Sequence, residues 1–408
     1  MEIPVASANA DNVTPCSVRN RFRRGPTSAR AWEMAAEFST PPLHRVVPGF
    51  GNKDCCSCDA ARNLRAEVIA MSETNNDPAN GAAHPAHGAP AQHADHPGRD
   101  TERDVVVVGA GAAGLNAALV LARARRRVTV IDGGAPRNAP ADRMHGFLSR
   151  DGMPPTALLE VGRAELATYG AELLTGRVDE ITPALGVRLA GGPELRARRV
   201  LVATGLRDEL PDLPGLRERW GRDLLHCPYC HGYEVRDQPL GVLGTGPGAV
   251  HQALLLRQWS PDVVLFPHHG EPTDDERERL AARGVRIVGG TVTRLVTEDD
   301  RLRGVELADG RVVPRTAVFA QPRMVPHDAL LTALGCARDA AGWVVTDAAG
   351  RTDVPGVWAA GNVVDPRAQV VTAAGMGAAA AIALNLDLVT EEVERAVAGQ
   401  RASAGAGG

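Results

Sequence analysis

Two cysteines separated by two residues, Cys227 and Cys230, are the residues of this chain best suited to redox chemistry. A thiolate is the nucleophile in disulfide exchange, and the CxxC arrangement activates one thiol while it keeps the other within bonding reach. The pair could instead form half of a zinc site, but zinc normally takes four ligands and only Cys336 remains after residue 100. The sequence therefore favours a redox dithiol and predicts no metal site.

Histidines flank the cysteine pair, with His226 before it and His231 after it. An imidazole titrates near neutral pH, so it can accept a thiol proton or return one. The adjacency to Cys230 favours an acid–base role for His231. A helix-terminal histidine without chemistry is the alternative, and it is the interpretation we favour for His226.

A glycine-rich turn of the form GxGxxG follows a β-branched run at residues 104–108. Gly109 allows the tight turn, Gly111 lets the backbone approach a pyrophosphate, and Gly114 lets the following helix pack closely. The N-terminus of that helix offers free N–H groups to phosphates. A second strand ends at Asp132, which is placed to accept hydrogen bonds from ribose hydroxyls. The turn alone could be a plain strand-to-helix corner, but these features in register predict a dinucleotide site.

A second turn, of the form GxGxxA, begins at Gly244 and has Gly246 as its second glycine. A helix over 250–258 and a strand over 263–266 are predicted after it. Residues 267–269 are Pro-His-His, so an acid for a ribose and an arginine pair for a 2′-phosphate are both missing from the end of this strand. Nicotinamide binding and a βαβ unit that packs without binding anything are both left open.

With these features, the chain resembles the low-molecular-weight thioredoxin reductase family from about Arg103 to Leu388. The resemblance is carried by the two turns, the cysteine pair and four further segments. These segments are Ile131–Asn138, Ala203–Gly205, Gly356–Asn362 and Gln369–Gly375.

The resemblance implies an α/β fold with two Rossmann-like, three-layer nucleotide-binding domains. An NAD(P)-type domain that carries the cysteine pair, residues 223–324, is inserted into a split FAD domain, residues 101–222 and 325–395. The segment 313–321 is expected to return the chain to the FAD domain. Members of the family usually form homodimers, so the resemblance implies a homodimer.

The resemblance also implies how the site is arranged. Cys230 would face the flavin of FAD, Cys227 would face the substrate, and a helix opening near Thr372 would point its N-terminus at the flavin. The cofactor-binding residues predicted in addition to Asp132 and the glycines of the two turns are Arg137, Asn138, Thr204, Gly205, Gly361, Asn362, Gln369, Val370 and Thr372.

Four departures from the reductase pattern bear on function. His231 stands where the family usually has Asp, Asn362 stands in place of an Asp, and Ala368 stands in place of an Arg. The segment 266–270 lacks the basic cluster that holds the 2′-phosphate of NADPH. The stretch 227–234, CPYCHGYE, is more similar to a branch of thioredoxin-reductase-like dithiol oxidases, of the gliotoxin and holomycin type.

Three functions follow from this sequence. The first is oxidation of a small dithiol, with FAD as cofactor and oxygen or an oxidised nicotinamide as final acceptor. The second is the reverse flow, in which NAD(P)H reduces the flavin and the cysteine pair reduces thioredoxin or a small disulfide. The third is a flavin-binding redox sensor without significant turnover. The sequence favours dithiol oxidation and does not identify the substrate.

Composition sets the remaining expectations. The chain has 408 residues, 44% of them hydrophobic, and a net charge of −4, which suits a protein of two or three domains. Without a basic stripe or an apparent membrane-spanning run, neither nucleic acid nor membrane is an expected partner. The sparse cysteines favour a reducing cytoplasm.

Both ends of the chain are expected to lie outside the folded domains. Residues 1–100 are interpreted as a disordered extension, because residues 73–99 have almost no large apolar side chains. A wrongly assigned start, with translation beginning at Met71, is the alternative, because a globular pattern begins only after residue 100. Residues 396–408 are predicted to be a disordered tail.

Overall fold

Strands and helices alternate along most of the part of the chain that the computed structural model describes, residues 102–268 and 270–406. The predictions for residues 1–100, including a start at Met71, lie outside the described residues. The strands, in chain order, are β1 (Glu102–Val108), β2 (Val128–Asp132), β3 (Glu172–Thr175), β4 (Val178–Ile181), β5 (Gly186–Leu189), β6 (Glu194–Val202), β7 (Leu206–Glu209), β8 (Leu224–Leu225), β9 (Leu240–Leu243), β10 (Val263–Phe266), β11 (Arg286–Ile287), β12 (Val292–Glu298), β13 (Arg301–Leu307), β14 (Val312–Pro314), β15 (Ala317–Ala320), β16 (Arg323–Pro326) and β17 (Val357–Ala359).

The helices connect these strands, and each predicted helix near the two turns is present. A short 3₁₀ helix covers Gly361–Val363. The α-helices are α1 (Ala112–Arg123), α2 (Pro155–Ala167), α3 (Leu216–Arg219), α4 (Pro228–His231), α5 (Ala249–Leu256), α6 (Asp274–Ala282), α7 (Ala329–Ala333) and α8 (Val370–Ala406).

The first sheet is assembled from both ends of the described chain. Its strands lie in the order β3-β2-β1-β6-β5-β4, and β17 also pairs with β6. Strands β3, β2, β1, β6 and β17 run parallel, whereas β4 and β5 form an antiparallel edge. Because β17 comes after the whole second sheet in sequence, the second domain is an insertion into the first, as predicted.

The second sheet is fully parallel, with the order β11-β10-β9-β15-β8, and a three-stranded antiparallel sheet, β12-β13-β14, lies beside it in sequence.

The expectation that 313–321 returns the chain to the first domain is wrong for β15. Strand β15 pairs with β9 and β8 in the middle of the second sheet because its four residues are fully apolar and buried. The return is made by β16, which pairs with the exit strand β7. The residue-level domain limits stay predictions.

Both sheets are covered on both faces, which gives the three layers expected of Rossmann-like domains. Along β1, Val105 and Val107 pack into one apolar cluster with α1, α2 and α8, while Val106 and Val108 pack into a cluster on the opposite face. Strands β9 and β10 divide their side chains between two clusters in the same way. Each fully buried Val or Leu contributes about 1.5–3 kcal/mol, so this burial fixes where the two turns lie.

The long C-terminal helix α8 differs from the sequence expectation in two respects. Residues 396–406 form its last turns rather than a disordered tail, because this stretch is rich in Ala and contains good helix formers. By length and composition, Val370–Gly405 is also apolar enough to cross a membrane, because it contains an 18-residue window with a mean hydropathy of 1.5, of which 33% is buried. A core helix of a soluble protein meets the same criteria, and Ala380, Leu384 and Leu388 are fully buried.

Candidate active site

The first glycine-rich turn connects β1 to α1 with no room for side chains at two of its glycines. Gly109 has a φ of +109°, and a Cβ there would lie 2.4 Å from the Ala203 carbonyl oxygen. A Cβ at Gly114 would lie 1.8 Å from the Gly109 carbonyl oxygen. Glycine at these two positions is therefore required for β1, β6 and α1 to approach one another.

The N-terminus of α1 is open to a ligand. Its N-cap residue, Gly111, makes no side-chain cap, and a Cβ built there would meet no atom within 4 Å. The N–H groups of a first helical turn lack intrahelical acceptors, and they attract an anion. The open space at this helix end fits the pyrophosphate of the FAD that the sequence predicts.

Asp132 ends β2 beside this turn, where a ribose acid is expected. Its carboxylate accepts a hydrogen bond from Gly134 N at 2.9 Å and one from Arg163 Nη2 at 2.6 Å. Each carboxylate oxygen can accept a second hydrogen bond, so these two donors orient the side chain and leave capacity for a ribose hydroxyl.

Arg137 lies in a polar cluster that joins three distant parts of the chain. It donates two hydrogen bonds to the carboxylate of Asp208, at 2.7 and 2.8 Å, and one to Asn362 Oδ1 at 3.2 Å. Asp208 belongs to β7, and its side chain is 8% exposed. Sequence reasoning missed Asp208, since no motif marks it. The neighbouring Asn138 is half-buried, and its carbonyl accepts a hydrogen bond from Ala141 N.

Asn362 explains one departure from the reductase pattern. Its amide Nδ2 donates to the carbonyl oxygens of Asp365 and Ala368, both at 2.9 Å. An aspartate carboxylate has no donor and could not make either bond. Asn362 thus fixes the loop between Gly361 and α8. Gly361 packs against α1, because a Cβ there would lie 2.9 Å from the Ala113 Cβ.

Thr204 and Gly205 lie where the chain leaves the first domain. The Thr204 hydroxyl donates to the His327 carbonyl at 2.7 Å, and His327 N donates to the Gly205 carbonyl at 2.9 Å. These bonds tie the outgoing and returning segments together next to β7 and β16. Their predicted part in cofactor binding stays a prediction.

The cysteine pair forms a disulfide at the start of α4. Cys227 is the N-cap residue, and its Sγ accepts a hydrogen bond from Cys230 N at 3.2 Å. The Cys230 Sγ lies 3.9 Å from Gln369 Nε2, and Gln369 directly precedes Val370, the first residue of α8. The disulfide of the second domain is thereby held against the helix N-terminus of the first.

This arrangement brings the remaining predicted residues together. Val370 and Thr372 belong to the first turn of α8, whose N–H groups lack intrahelical acceptors, and Ala373 N makes a bond back to the Gln369 carbonyl. A helix N-terminus stabilises negative charge beside it. Cys230 is the cysteine that faces this end of the helix, in agreement with the side on which the flavin is predicted.

Burial favours the neutral form of both histidines next to the disulfide. Burial lowers the pKa of His231 below its usual 6.5, and the nearby His145 acts in the same direction, whereas Glu234 opposes it. Burial also lowers the pKa of His226, with Arg137 adding to the effect and Asp208 opposing it. A neutral imidazole can accept a proton from a thiol, so His231 is suited to act as a base at neutral pH.

His145 connects the two domains beside the disulfide. Its Nδ1 lies 3.3 Å from Asp151 Oδ2, within its own loop, and its Nε2 lies 3.4 Å from Glu234 Oε1, just after α4. The sequence analysis did not predict this contact, because it joins residues far apart in the chain.

The second glycine-rich turn lies between β9 and α5. Gly244 N donates to the Phe266 carbonyl at 2.9 Å, as Gly109 N donates to the Ile131 carbonyl at 2.8 Å in the first turn. Gly244 and Gly246 therefore occupy the predicted turn. Whether they bind a nucleotide is a separate question, which depends on the side chains around the turn.

The Arg137–Asp208 pair provides a test of this part of the site. We expect Arg137→Met to lower the free energy of unfolding by about 3 kcal/mol, because it leaves the buried Asp208 carboxylate without its partner. The measurement is urea denaturation of the FAD-loaded protein. The double variant Arg137→Met/Asp208→Leu should lose less than the single variant, since no charge is then stranded. Equal losses would contradict the pairing.

Comparison with known proteins identifies the family. A sequence profile of the family described as pyridine nucleotide-disulphide oxidoreductase matches residues 103–378. The thioredoxin reductase sirT of Leptosphaeria maculans is 31% identical over 308 residues, which cover 69% of this chain and 93% of that protein. The thioredoxin reductase of Listeria innocua is 28% identical over 73% of this chain and 97% of its own length.

Solved structures agree with this assignment. The crystal structure of HlmI shares 67% identity with a TM-score of 0.72, and it covers 74% of this chain and 97% of that one. An oxidoreductase from Agrobacterium tumefaciens shares 36% identity with a TM-score of 0.67, over 71% of this chain and 99% of that one. Thioredoxin reductases bind FAD and use NAD(P)H. The chain is therefore a thioredoxin-reductase-like member of the pyridine nucleotide-disulphide oxidoreductase family, and an FAD-dependent enzyme that acts on sulfur groups.

Proposed function

We propose that this enzyme oxidises a small dithiol to a disulfide, with the Cys227–Cys230 disulfide as the immediate oxidant and oxygen or an oxidised nicotinamide as the final acceptor. The observation that carries the proposal is the position of Cys230 Sγ, 3.9 Å from Gln369 Nε2 at the start of α8. The direction is supported by the neutral His231 after the pair and by the missing basic cluster after Phe266.

The cysteines and His231 carry the exchange itself. A substrate thiolate attacks Cys227 Sγ, the bond to Cys230 breaks, and Cys230 leaves as a thiolate. The second substrate thiolate then attacks the sulfur atom of the substrate that is bonded to Cys227, which releases the substrate disulfide and a reduced cysteine pair. His231 accepts a thiol proton during these steps.

The reduced pair must return to the disulfide for a second turnover. FAD supplies the two-electron acceptor for this step when it is bound. The N-terminus of α8 stabilises the Cys230 thiolate that lies beside it. The pair thus releases two electrons on the side of Gln369 and takes up the substrate on the side of Cys227.

The second candidate is an NADPH-dependent thioredoxin-disulfide reductase, in which electrons flow the other way. The relatives named thioredoxin reductase favour it. Its substrate would be a thioredoxin-like protein or a small disulfide. The same cysteines would then deliver electrons instead of accepting them.

Anaerobic flavin bleaching separates the two directions. The purified yellow protein is mixed with a small dithiol, with NADH and with NADPH, and the flavin absorbance is followed. We expect bleaching by the dithiol alone. Rapid bleaching by NADPH without bleaching by the dithiol would overturn the proposal. Many cycles per enzyme in air would exclude a redox sensor that does not turn over.

We propose that two copies of the chain pair through α8. Five apolar residues at helical spacing are 38–65% exposed on one side of this helix. They are Ile382, Leu386, Val389, Val393 and Val397. A stripe of this kind favours a second copy of the same surface, because a symmetric dimer buries both stripes at once.

Leu386→Glu tests this dimer. We expect the substitution to convert a dimer to a monomer, because it places a charge in the centre of the stripe, where Leu386 is 65% exposed. Sedimentation of the FAD-loaded protein measures the change. Ala398→Glu adds the same charge to the same helix outside the stripe and should remain dimeric. A monomeric wild-type protein would contradict the proposal.

We also propose that the protein works in a reducing cytoplasm without a nucleic acid or membrane partner. The mild net charge of −4 supports the absence of nucleic acid. Among the described residues, the free cysteine Cys336 is buried and its pKa is raised by burial, so a reducing compartment would keep it as an inert thiol.

A further inference from the structure

The two glycine-rich turns of this chain can be compared residue by residue. The bonds from Gly109 N to Ile131 O and from Gly244 N to Phe266 O are equivalent, so the two turns start at Gly109 and Gly244. The first turn has an open helix N-terminus that fits a pyrophosphate. The same three features, which are the helix end, the space above it and the end of the next strand, differ in the second turn.

The helix end is the first difference. The position of Ala112, the first residue of α1, is taken in the second turn by Pro247, which has no N–H group to donate. Helix α5 begins only at Ala249, and the bond from Ala249 N to the Gly246 carbonyl is a turn contact. The second turn therefore presents fewer N–H groups to an anion than the first.

The space above the helix end is the second difference. At the α1 N-cap, Gly111, a Cβ would meet nothing within 4 Å. At the α5 N-cap, Gly248, a Cβ would lie 2.4 Å from Gln321 Nε2 and 2.6 Å from Gln321 Oε1. At Gly246, the residue equivalent to Gly111, a Cβ would lie 3.6 Å from Gln321 Oε1, which is an ordinary van der Waals contact. The Gln321 side chain therefore packs against the turn before α5, whereas no side chain lies within 4 Å of the equivalent point in the first turn.

The backbone of Gln321 is held in place by Thr245 of the same turn. The Thr245 hydroxyl donates to the Gln321 carbonyl at 2.7 Å and accepts from Gln321 N at 3.1 Å. In the first turn the position of Thr245 is Ala110, which has no hydroxyl group. The residue that follows the neighbouring strand there is Ala203, with only a methyl side chain.

The end of the next strand is the third difference. Asp132 follows Ile131 in the first domain, and Pro267 follows Phe266 at the equivalent position in the second. A proline side chain accepts no hydrogen bond from a ribose hydroxyl. The second turn thus lacks the acid that orients the ribose of a dinucleotide.

We infer that the second turn does not hold the pyrophosphate of a nicotinamide dinucleotide, and that Gln321 is the residue that closes it. The family uses NAD(P)H, so this chain departs from its family at this turn. The inference rests on the geometry of this turn alone. Of the two final acceptors proposed above, it leaves oxygen and removes an oxidised nicotinamide.

Binding of ADP, NADH and NADPH to the FAD-loaded protein tests the inference by titration calorimetry. ADP carries a pyrophosphate without the nicotinamide, and the bound FAD keeps it out of the first site. We expect no saturable binding to the wild-type protein up to about 1 mM. Gln321→Ala combined with Pro247→Ala opens the turn and restores an N–H group, and we expect ADP affinity to rise at least about tenfold.

A matched variant separates the volume of Gln321 from its polarity. Gln321→Met keeps the length of the side chain, so this variant should bind ADP no better than the wild-type protein does. Micromolar binding of NADH or NADPH by the wild-type protein would overturn the inference. The inference would also be overturned if the double variant Gln321→Ala/Pro247→Ala kept its FAD content but gained no affinity for ADP. Dithiol-driven bleaching reports separately on the proposed function.

Discussion

Replacing Cys230 by serine is expected to lower dithiol oxidation by about 10⁴-fold or more while the protein remains yellow with bound FAD. A serine hydroxyl cannot form the disulfide that accepts the two electrons, and it is a poor nucleophile at neutral pH. The Cys230 Sγ lies 3.9 Å from Gln369 Nε2, and no FAD-site feature described above depends on it, so cofactor binding should survive. Turnover with a small dithiol, together with flavin content per protein, measures both effects.

Two control variants make this result specific. Cys227→Ser removes the sulfur that the substrate attacks and should be equally inactive, although it leaves a thiol at Cys230 on the side of α8. Cys336→Ser removes a buried free thiol that lies in the core of the first domain, so it should keep full activity. Undiminished turnover of Cys230→Ser, or a protein that takes up no FAD, would refute the assignment of the cysteine pair.

The parts of this site that the sequence predicts are those that depend on local chain geometry. The run from β1 through Gly109, Gly111 and Gly114 to α1 is continuous in sequence. Gly109 and Gly114 are required by close backbone contacts, and Gly111 leaves the end of the helix open. The disulfide between Cys227 and Cys230 spans one turn of α4. Short-range patterns of this kind are visible before any tertiary contact is known.

The parts that the sequence does not predict depend on residues far apart in the chain. Arg137 meets Asp208 across 71 positions, and Gln369 meets Cys230 across 139. No pattern around Asp208 or Gln321 signals a function, because their roles arise only from what the fold places opposite them. Strand β15 was wrongly expected in the first domain for the same reason, because the apolar pattern of a buried strand does not indicate which sheet it joins.

The structure also shows why the resemblance to reductases does not fix the direction of electron flow. The first turn and the cysteine site retain the features that FAD chemistry needs. The differences are concentrated around the second turn and at His231 and Asn362. Asn362 holds the loop before α8 through two donated hydrogen bonds that an aspartate could not make, so this substitution changes both the charge and the hydrogen bonding of the loop.

His231→Gln is expected to lower dithiol oxidation by about 10²- to 10⁴-fold at neutral pH, because glutamine cannot accept the thiol proton. Burial lowers the pKa of His231 below 6.5, so in the wild type the imidazole is neutral at pH 7 and becomes protonated only in more acidic solution. Wild-type activity should therefore fall as the pH drops below that lowered pKa. The variant should lose this acid limb, which a purely structural role would leave in place.

The matched control is His226→Gln, which changes the same side chain on the other side of the pair. The pKa of His226 is also lowered by burial, so a general effect of neutral imidazoles would appear in both variants. Because only His231 is assigned a proton, His226→Gln should keep the acid limb of the pH profile and most of the activity. An acid limb that persists in His231→Gln and vanishes in His226→Gln would transfer the role of base to His226, the residue before the cysteine that meets the substrate.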